Sequence, residues 1–386
     1  MSRWPTIRLP DVAEIIMGQS PPGDTYNEAG DGLPFFQGKT EFGEVSPTPR
    51  KWCNAPKKIA EAGDILISVR APVGPTNLAA TQCCIGRGLA AIRANPEMLE
   101  PTYLRFALRY AEPQLASMGQ GSTFAAIGRA ELARAGLPLP PLPEQRRIVD
   151  ILSRAEGIVR LRREAEKKAA ELIPAMFLDM FGDPATNPKG WPTYRIGDLF
   201  DVKGGKRLPK GEPYSDSPTA FRYIRGTNIR ADKIESGNLV YLTPEIQSTI
   251  KRYVVEEGDA VITIAGKIGV AAPVEEDLIG VNLTENAAMI RPHGERKSTA
   301  IYLSSLINNE FVQKQIESLT GRVTIGKLAL ERIKLIEIRI PPIELQQVFV
   351  EHVLKIRSIQ FQQAAATATA QATFDALLSK VFARQS

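Results

Sequence analysis

Two histidines and three cysteines are all that this chain of 386 residues offers of the side chains that most often bind metals or move protons. His293 and His352 stand far apart, and the adjacent Cys83 and Cys84 with a distant Cys53 fit neither a structural zinc site nor an even disulfide framework. Reduced core thiols and solvated or packing histidines are expected, which leaves little material for metal-centred or histidine-based catalysis. Long apolar runs are missing too. No stretch approaches the ~18 apolar residues of a membrane span, and Met1-Ser2-Arg3-Trp4-Pro5 carries no apolar signal core, so a cytoplasmic protein with no membrane partner is expected. Nor is there a strong charge of one sign. Lys and Arg number 48 against 43 Asp and Glu, a net +5, and the surplus is spread thinly: 14 against 13 in residues 1–140 and 21 against 19 in residues 191–340. A nucleic-acid ligand would have to be met by cations gathered on one face.

What is present is ordinary globular composition, 43% hydrophobic and 24% charged, in a chain too long for one core. Two globular units are expected. The chain also repeats itself. Trp4-Pro5-Thr6-Ile7-Arg8-Leu9 returns as Trp191-Pro192-Thr193-Tyr194-Arg195-Ile196, at an offset of 187. Phe36-Gln37-Gly38-Lys39 is echoed by Ile224-Arg225-Gly226-Thr227, and Gly63-Asp64-Ile65-Leu66-Ile67-Ser68-Val69 by Gly258-Asp259-Ala260-Val261-Ile262-Thr263-Ile264. Leu139-Pro140-Pro141-Leu142 matches Ile340-Pro341-Pro342-Ile343, at an offset of 201. Order is kept while the offset drifts, as in two copies whose loops differ in length.

Each copy opens with a Gly- and Pro-rich part of short apolar runs, interrupted by short helices near Pro101–Ala111 and Ser298–Asn309, and closes with a long helix entered through the Pro-Pro pair. The first helix has a seam at Ile148, Ile151, Ala155, Ile158, Arg162, Ala165, Ala169, Leu172 and Met176. The second has one at Phe349, Val353, Ile356, Gln360, Gln363, Thr367, Ala370, Phe374, Leu377 and Val381, apolar at the ends and polar in the middle. Both run past ordinary helix length, which favours pairing with each other over packing on separate globules. Pro174 predicts a stop or kink ahead of the linker Met180-Phe181-Gly182-Asp183-Pro184. The fold class is therefore mixed α/β (α+β), with two tandem globular domains separated by two long antiparallel helices forming a coiled coil. The boundaries fall at 1–140, 141–185 (central helix and linker), 186–340 and 341–386 (C-terminal helix).

Catalytic motifs fail on inspection. Gly321 to Lys327 has the spacing of a phosphate-cradling loop, but Leu328 stands where a hydroxyl must bind magnesium. No Pro-Pro pair has the polar and aromatic neighbours a base-flipping methyltransferase needs, and neither Asp64 nor Asp259 has the acid-and-lysine company of a metal nuclease. The chain is expected to catalyse nothing.

The run Leu137-Pro138-Leu139-Pro140-Pro141-Leu142-Pro143-Glu144-Gln145-Arg146-Arg147-Ile148, following Gly121-Ser122-Thr123, resembles the first conserved helical region of the DNA specificity subunit of type I restriction-modification enzymes. Met180-Phe181-Gly182-Asp183-Pro184 with Asn187-Pro188-Lys189-Gly190-Trp191-Pro192 resembles that family's entry into a second target recognition domain. Copy two departs from the pattern, with Glu344-Leu345-Gln346 in place of Pro143-Glu144-Gln145. The resemblance implies a non-catalytic subunit whose two target recognition domains each read one half of a bipartite site in double-stranded DNA, while the paired helices set the gap. It implies two modification (methyltransferase) subunits carrying S-adenosylmethionine, and two restriction (motor and nuclease) subunits, using ATP and Mg, that can join them. No cofactor is implied for this chain itself. A protein-interaction scaffold with two peptide-binding globules on a coiled coil is the alternative that the near-neutral charge leaves open.

Phosphate contacts favour Lys and Arg, and base edges favour Arg, Asn and Gln on loops. The DNA-binding candidates in copy one are Gln19, Lys39, Arg50, Lys51, Arg70, Arg87 and Thr123. In copy two they are Lys203, Lys206, Arg207, Arg222, Arg225, Asn228, Lys251, Lys267, Asn282, Arg322, Thr324 and Lys327. Lys57-Lys58 and the cations Arg160, Arg162, Arg163, Lys167 and Lys168 read instead as solvated faces or partner contacts. Because the two sets of loops differ, an asymmetric site with unlike halves is expected.

Overall fold

The computed structural model describes residues 4–119, 126–294, 298–320 and 326–383. The chain divides into two compact units: Met1–Glu164 with Ala364–Ser386, and Ala165–Gln363. The boundary thus runs through both long helices, and each helix contributes to both units.

The first unit is organised by a four-stranded antiparallel sheet of β1 (Ala13–Met17), β2 (Ile65–Ser68), β3 (Thr76–Leu78) and β4 (Leu89–Ala94), in the order β1-β4-β2-β3. The second repeats it with β5 (Phe200–Gly204), β6 (Ala260–Thr263), β7 (Ala271–Pro273) and β8 (Ala287–Pro292), ordered β5-β8-β6-β7. β2 and β6 are buried along their whole length and read as continuous apolar runs, as strands covered on both faces must. One face of each sheet is covered by a helix, α1 (Pro101–Ser117) in the first unit and the shorter α3 (Ala300–Ile307) in the second.

The repeated sequence segments do the same work in both units. Thr6–Arg8 pairs antiparallel with Gly136–Pro138, and Thr193–Arg195 with Glu337–Arg339, so each Trp-Pro segment is tied to the strand that leads into its Pro-Pro pair. Tyr103 donates its hydroxyl to Pro138 O at 2.7 Å and Tyr302 donates to Arg339 O at 2.8 Å. The repeated Asp is structural. Asp64 accepts from Arg93 Nε and Nη2 at 3.0 and 2.8 Å, and Asp259 from Arg291 Nε and Nη2 at 2.8 and 2.7 Å.

The long helices are α2 (Leu142–Phe181) and α4 (Ile343–Phe382). The departure in copy two leaves one function intact. Gln145 is fully buried, accepts from Glu100 N at 2.8 Å and donates to Met98 O and Pro140 O. Gln346, equally buried, accepts from Thr299 N at 3.0 Å and Ser298 Oγ at 3.1 Å, and donates to Pro341 O. In both units this glutamine locks the entry of the long helix to the start of the sheet-covering helix.

Within the second unit α2 and α4 run antiparallel: Gln360 Nε2 donates to Ala169 O at 2.7 Å, while Phe177 and Phe181 lie 5.7 and 5.3 Å from Phe349, ring centroid to centroid. Within the first, Arg163 Nη2 donates to Gln371 Oε1 at 2.8 Å, and Ile148, Leu152 and Val159 share a core with Phe374, Leu378 and Phe382.

Two expectations for α2 are corrected. Its buried line is Ile148, Leu152, Val159, Ala169, Ile173, Phe177 and Phe181, whereas Ile151, Ile158 and Leu172 are 41, 52 and 48% exposed and Ala165 is also outside. Apolar residues lie along both lines; α1 decides between them, because Arg105 and Arg109 grip Glu156 at 2.6 and 2.8 Å and fix the rotation of α2. The helix also does not stop at Pro174 but continues to Phe181. The burial of Ile173, Phe177 and Phe181 offsets the ~3 kcal/mol that an internal proline costs. It ends at Gly182, whose φ of 77° is the left-handed cap conformation, with its N–H donating to Leu178 O at 2.8 Å. For α4 the expected seam is buried or half-buried at every position.

All three cysteines are free and buried, and burial pushes the Cys83 and Cys84 thiols up to about 12. Among the described residues no helix is long and apolar enough to cross a membrane.

Candidate nucleic-acid interface

In each unit the first and third strands of the sheet order, counted along the chain as β1 with β2 and β5 with β6, end where the last strand, β4 or β8, begins. Three loops therefore leave the sheet at one end. A glycine makes this possible. Gly18 N donates to Leu89 O at 2.9 Å, and Gly205 N to Ala287 O at 3.0 Å; a Cβ on either would collide with backbone carbonyls, of Gly86 and Leu89 in one unit and of Leu283 and Thr284 in the other. The next residues repeat the pattern, Gln19 N donating to Ile85 O at 3.0 Å and Lys206 N to Leu283 O at 2.8 Å. Gln19 and Lys206 thus occupy the same place, as do Arg87 and Glu285 on the loop opposite.

In the second unit this end of the sheet opens into a groove of about 1260 Å³. Its lining includes Arg207, Lys210, Arg225, Arg230 and Lys267 against only Glu212 and Glu285, with Thr227, Thr284, Asn286 and Tyr214 adding polar and aromatic edges. Arg207 Nε donates to Glu285 Oε1 at 2.7 Å, and Glu285 Oε2 accepts from Thr284 Oγ1 at 2.9 Å. Burial pushes the Glu285 carboxyl up, but the hydrogen bonds from Arg207, from its own backbone and from Thr284 outweigh this and hold it below the usual carboxylate range. Tyr223 supports the loop from beneath: its hydroxyl donates to Lys206 O at 2.8 Å, and burial raises that hydroxyl to about 12. Arg225 donates through Nη2 to Asn238 O at 3.2 Å, while its buried Nε has no acceptor. Lys267 is exposed; its carbonyl accepts from Thr263 Oγ1 at 2.5 Å, which shapes the loop that carries it.

Of the copy-two candidates, Arg207, Arg225 and Lys267 meet in this groove. Lys206 adjoins it with its ammonium 5.8 Å from the Tyr253 ring, and the exposed Lys327 precedes the buried Leu328, whose N–H donates to Ile264 O at 2.9 Å. Lys203 is exposed on β5 beside Asp201, and Lys251 is exposed at the end of the helix Pro244–Ile250. Arg222 turns to Asp277 instead, bonding its carbonyl and lying 3.7 Å from its carboxylate. Two candidates are withdrawn, because their amides are spent inside the fold. Asn228 is 1% exposed, accepting from Arg225 N and donating to Asn238 O, and Asn282 is 2% exposed, donating to Ile250 O at 2.8 Å. Thr123, Arg322 and Thr324 lie outside the described residues.

In the first unit Gln19, Arg70 and Arg87 are exposed at the corresponding end of the sheet, where Arg87 N donates to Ser20 Oγ at 3.3 Å and Arg70 bridges to Ala126. Lys39 lies on the single turn Lys39–Glu41, and Arg50 and Lys51 are exposed before the strand Trp52–Cys53. Groove residues absent from the sequence candidates include Lys210, Arg230 and Asn286, and above all the anion Glu285. Its signal was positional, since it stands at the place of Arg87 in the repeat.

A family model for the type I restriction modification DNA specificity domain matches residues 1–171 and again residues 188–361. The chain is 43% identical over 167 residues to the MjaX protein of Methanocaldococcus jannaschii, provisionally named a type I restriction enzyme specificity subunit; the match takes in 43% of this chain and 39% of that protein. The chain thus spans about two fifths of that relative's length. It is 21% identical to the EcoBI type I restriction enzyme specificity subunit of Escherichia coli, over 98% of this chain and 85% of that one. The fold is shared with the crystal structure of the type I restriction-modification S subunit from M. genitalium, at a TM-score of 0.59 and 15% identity over 100% of this chain and 97% of the other. With both copies matched over most of their length, the chain belongs to the family of type I restriction-modification DNA specificity domain proteins.

Proposed function

We propose that this chain is the non-catalytic, sequence-reading subunit of a type I restriction-modification complex, working in the cytoplasm on double-stranded DNA. Each unit engages one half of a bipartite site with the loops at the open end of its sheet, and the long helices set the gap between halves. Two modification subunits supply S-adenosylmethionine and methyl transfer. Two restriction subunits, using ATP and Mg, can join them. The observation that carries this reading is the duplicated sheet end, the same three loops in both units with unlike side chains, opening in the second unit into a groove with five cations and two anions. A cationic, amide- and arginine-bearing groove suits a phosphate backbone with base edges within reach. Exposed Ile151, Ile158, Leu161 and Leu172 on α2 suit the docking of modification subunits.

The test is selection from a randomised duplex library by the full chain purified with its modification subunit. Two unlike short motifs at a fixed separation, bound with an affinity that falls steeply with salt, are expected. Four phosphate contacts, from Lys210, Arg225, Arg230 and Lys267, would give a slope of about −3 to −4 in log K against log salt. Salt-insensitive binding with no enriched motif would favour a protein-binding scaffold instead.

A further inference from the structure

We propose that Arg207 reads a guanine in the half-site held by the second unit, and that Glu285 is the positioning residue that aims it. This deepens the sequence-reading role proposed above and rests on it.

The geometry divides the guanidinium in two. Its Nε edge is taken, donating to Glu285 Oε1 at 2.7 Å, and no other hydrogen bond of the side chain is formed within the described residues. Both Nη groups, four N–H donors in one plane, are left without a partner among the described residues, on a groove-lining side chain 78% exposed. Glu285 is a fixed abutment, because its side chain is only 24% exposed and its second oxygen is held by Thr284 Oγ1 at 2.9 Å. The Thr284 backbone is itself anchored, its N–H donating to Ile224 O at 3.0 Å.

Chemistry then selects the ligand. A lone exposed arginine attracts phosphate, but here a carboxylate held ionised at 2.7 Å cancels the charge and would repel a phosphate brought to the same edge. What survives is a rigid, nearly neutral fork of donors, which needs two neutral acceptors side by side. In the major groove only guanine offers that pair, O6 and N7; adenine and cytosine place an amino donor there, and thymine a single acceptor beside a methyl group. At the matching place the first unit carries Ser20 and Arg87, joined only by the Arg87 N–H to Ser20 Oγ at 3.3 Å, so no such fork exists and the two halves are read differently.

The experiment repeats the duplex-library selection with the full chain and its modification subunit, for wild type, Arg207→Lys, Arg207→Ala and Glu285→Ala. Arg207 is exposed, so its replacement leaves the fold standing. One strongly preferred guanine in a single half-site is expected for wild type. Arg207→Lys and Arg207→Ala should lower the preference at that base about ten- to a hundredfold and leave the other half-site unchanged. Glu285→Ala should loosen the same base without reducing the salt slope, since it removes an anion and no cation. The inference is overturned if Arg207→Ala weakens all sequences alike and cuts the salt slope by about one, the mark of a phosphate contact. It is also overturned if the base lost is not guanine, or if Glu285→Ala leaves that base as sharply read as before. A wild type that enriches no motif overturns the underlying reading, and the inference with it.

Discussion

Arg291 holds Asp259 through both carboxylate oxygens, at 2.8 and 2.7 Å, and the aspartate it holds is completely buried. Asp259 also accepts from Glu256 N at 2.8 Å, so it fixes the turn into β6 as well as the end of β8. Removing Arg291 leaves that buried carboxylate without its cation, whereas removing Asp259 leaves Arg291 its ion pair with Glu256.

Arg291→Ala is therefore expected to cost about 3–5 kcal/mol, with hydrogen exchange accelerated through β6 and β8. Arg93→Ala should do the same in β2 and β4, because Arg93 grips the buried Asp64 in the same way. Unchanged exchange in both variants would mean that the repeated aspartates serve some purpose other than bracing the sheets.

The rotation of α2 predicts opposite outcomes at neighbouring positions. Val159 is 4% exposed and Ile158 is 52% exposed. Val159→Glu should destabilise by several kcal/mol, because it buries a charge with no partner, whereas Ile158→Glu should lie within about 0.5 kcal/mol of wild type in denaturant titration. The reverse order would place the seam on the other face of the helix.

The buried thiols give a prediction in pH. In the unfolded chain a thiol ionises near 8.5, but Cys83 and Cys84 hold their protons up to about 12 in the folded state. Between those values the unfolded state has lost protons that the folded state keeps, so stability present below about pH 8.5 is lost as pH rises toward 12. Replacing Cys83 by Ala should flatten the fall in melting temperature above pH 9. A thiol-specific reagent should label none of the three cysteines in the native protein and all three after denaturation.

Much of the fold was legible because the repeated segments are the ones that meet. The Trp-Pro runs pair with the strands before the Pro-Pro pairs, and Gly18 and Gly205 sit where only glycine fits. The seam of α2 was not legible, because Ile151 and Leu152 are equally apolar and the choice between them is made by Arg105 and Arg109 on α1. Among the site residues, the loop candidates Arg207, Arg225 and Lys267 line one groove, but nothing in residue type reveals that Asn228 and Asn282 spend their amides on buried carbonyls. Glu285 was hidden for the opposite reason, since a search for DNA-binding cations passes over an acid whose part is to aim one.

Sequencing the methylated bases of a bacterial chromosome, in cells expressing this chain with its modification subunit, tests the proposed function most directly. The predicted result is one motif made of two unlike parts separated by a fixed run of unread bases, with the second part altered by Arg207→Ala and the first left intact. An unbroken motif, or methylation that is the same with and without this chain, would contradict it.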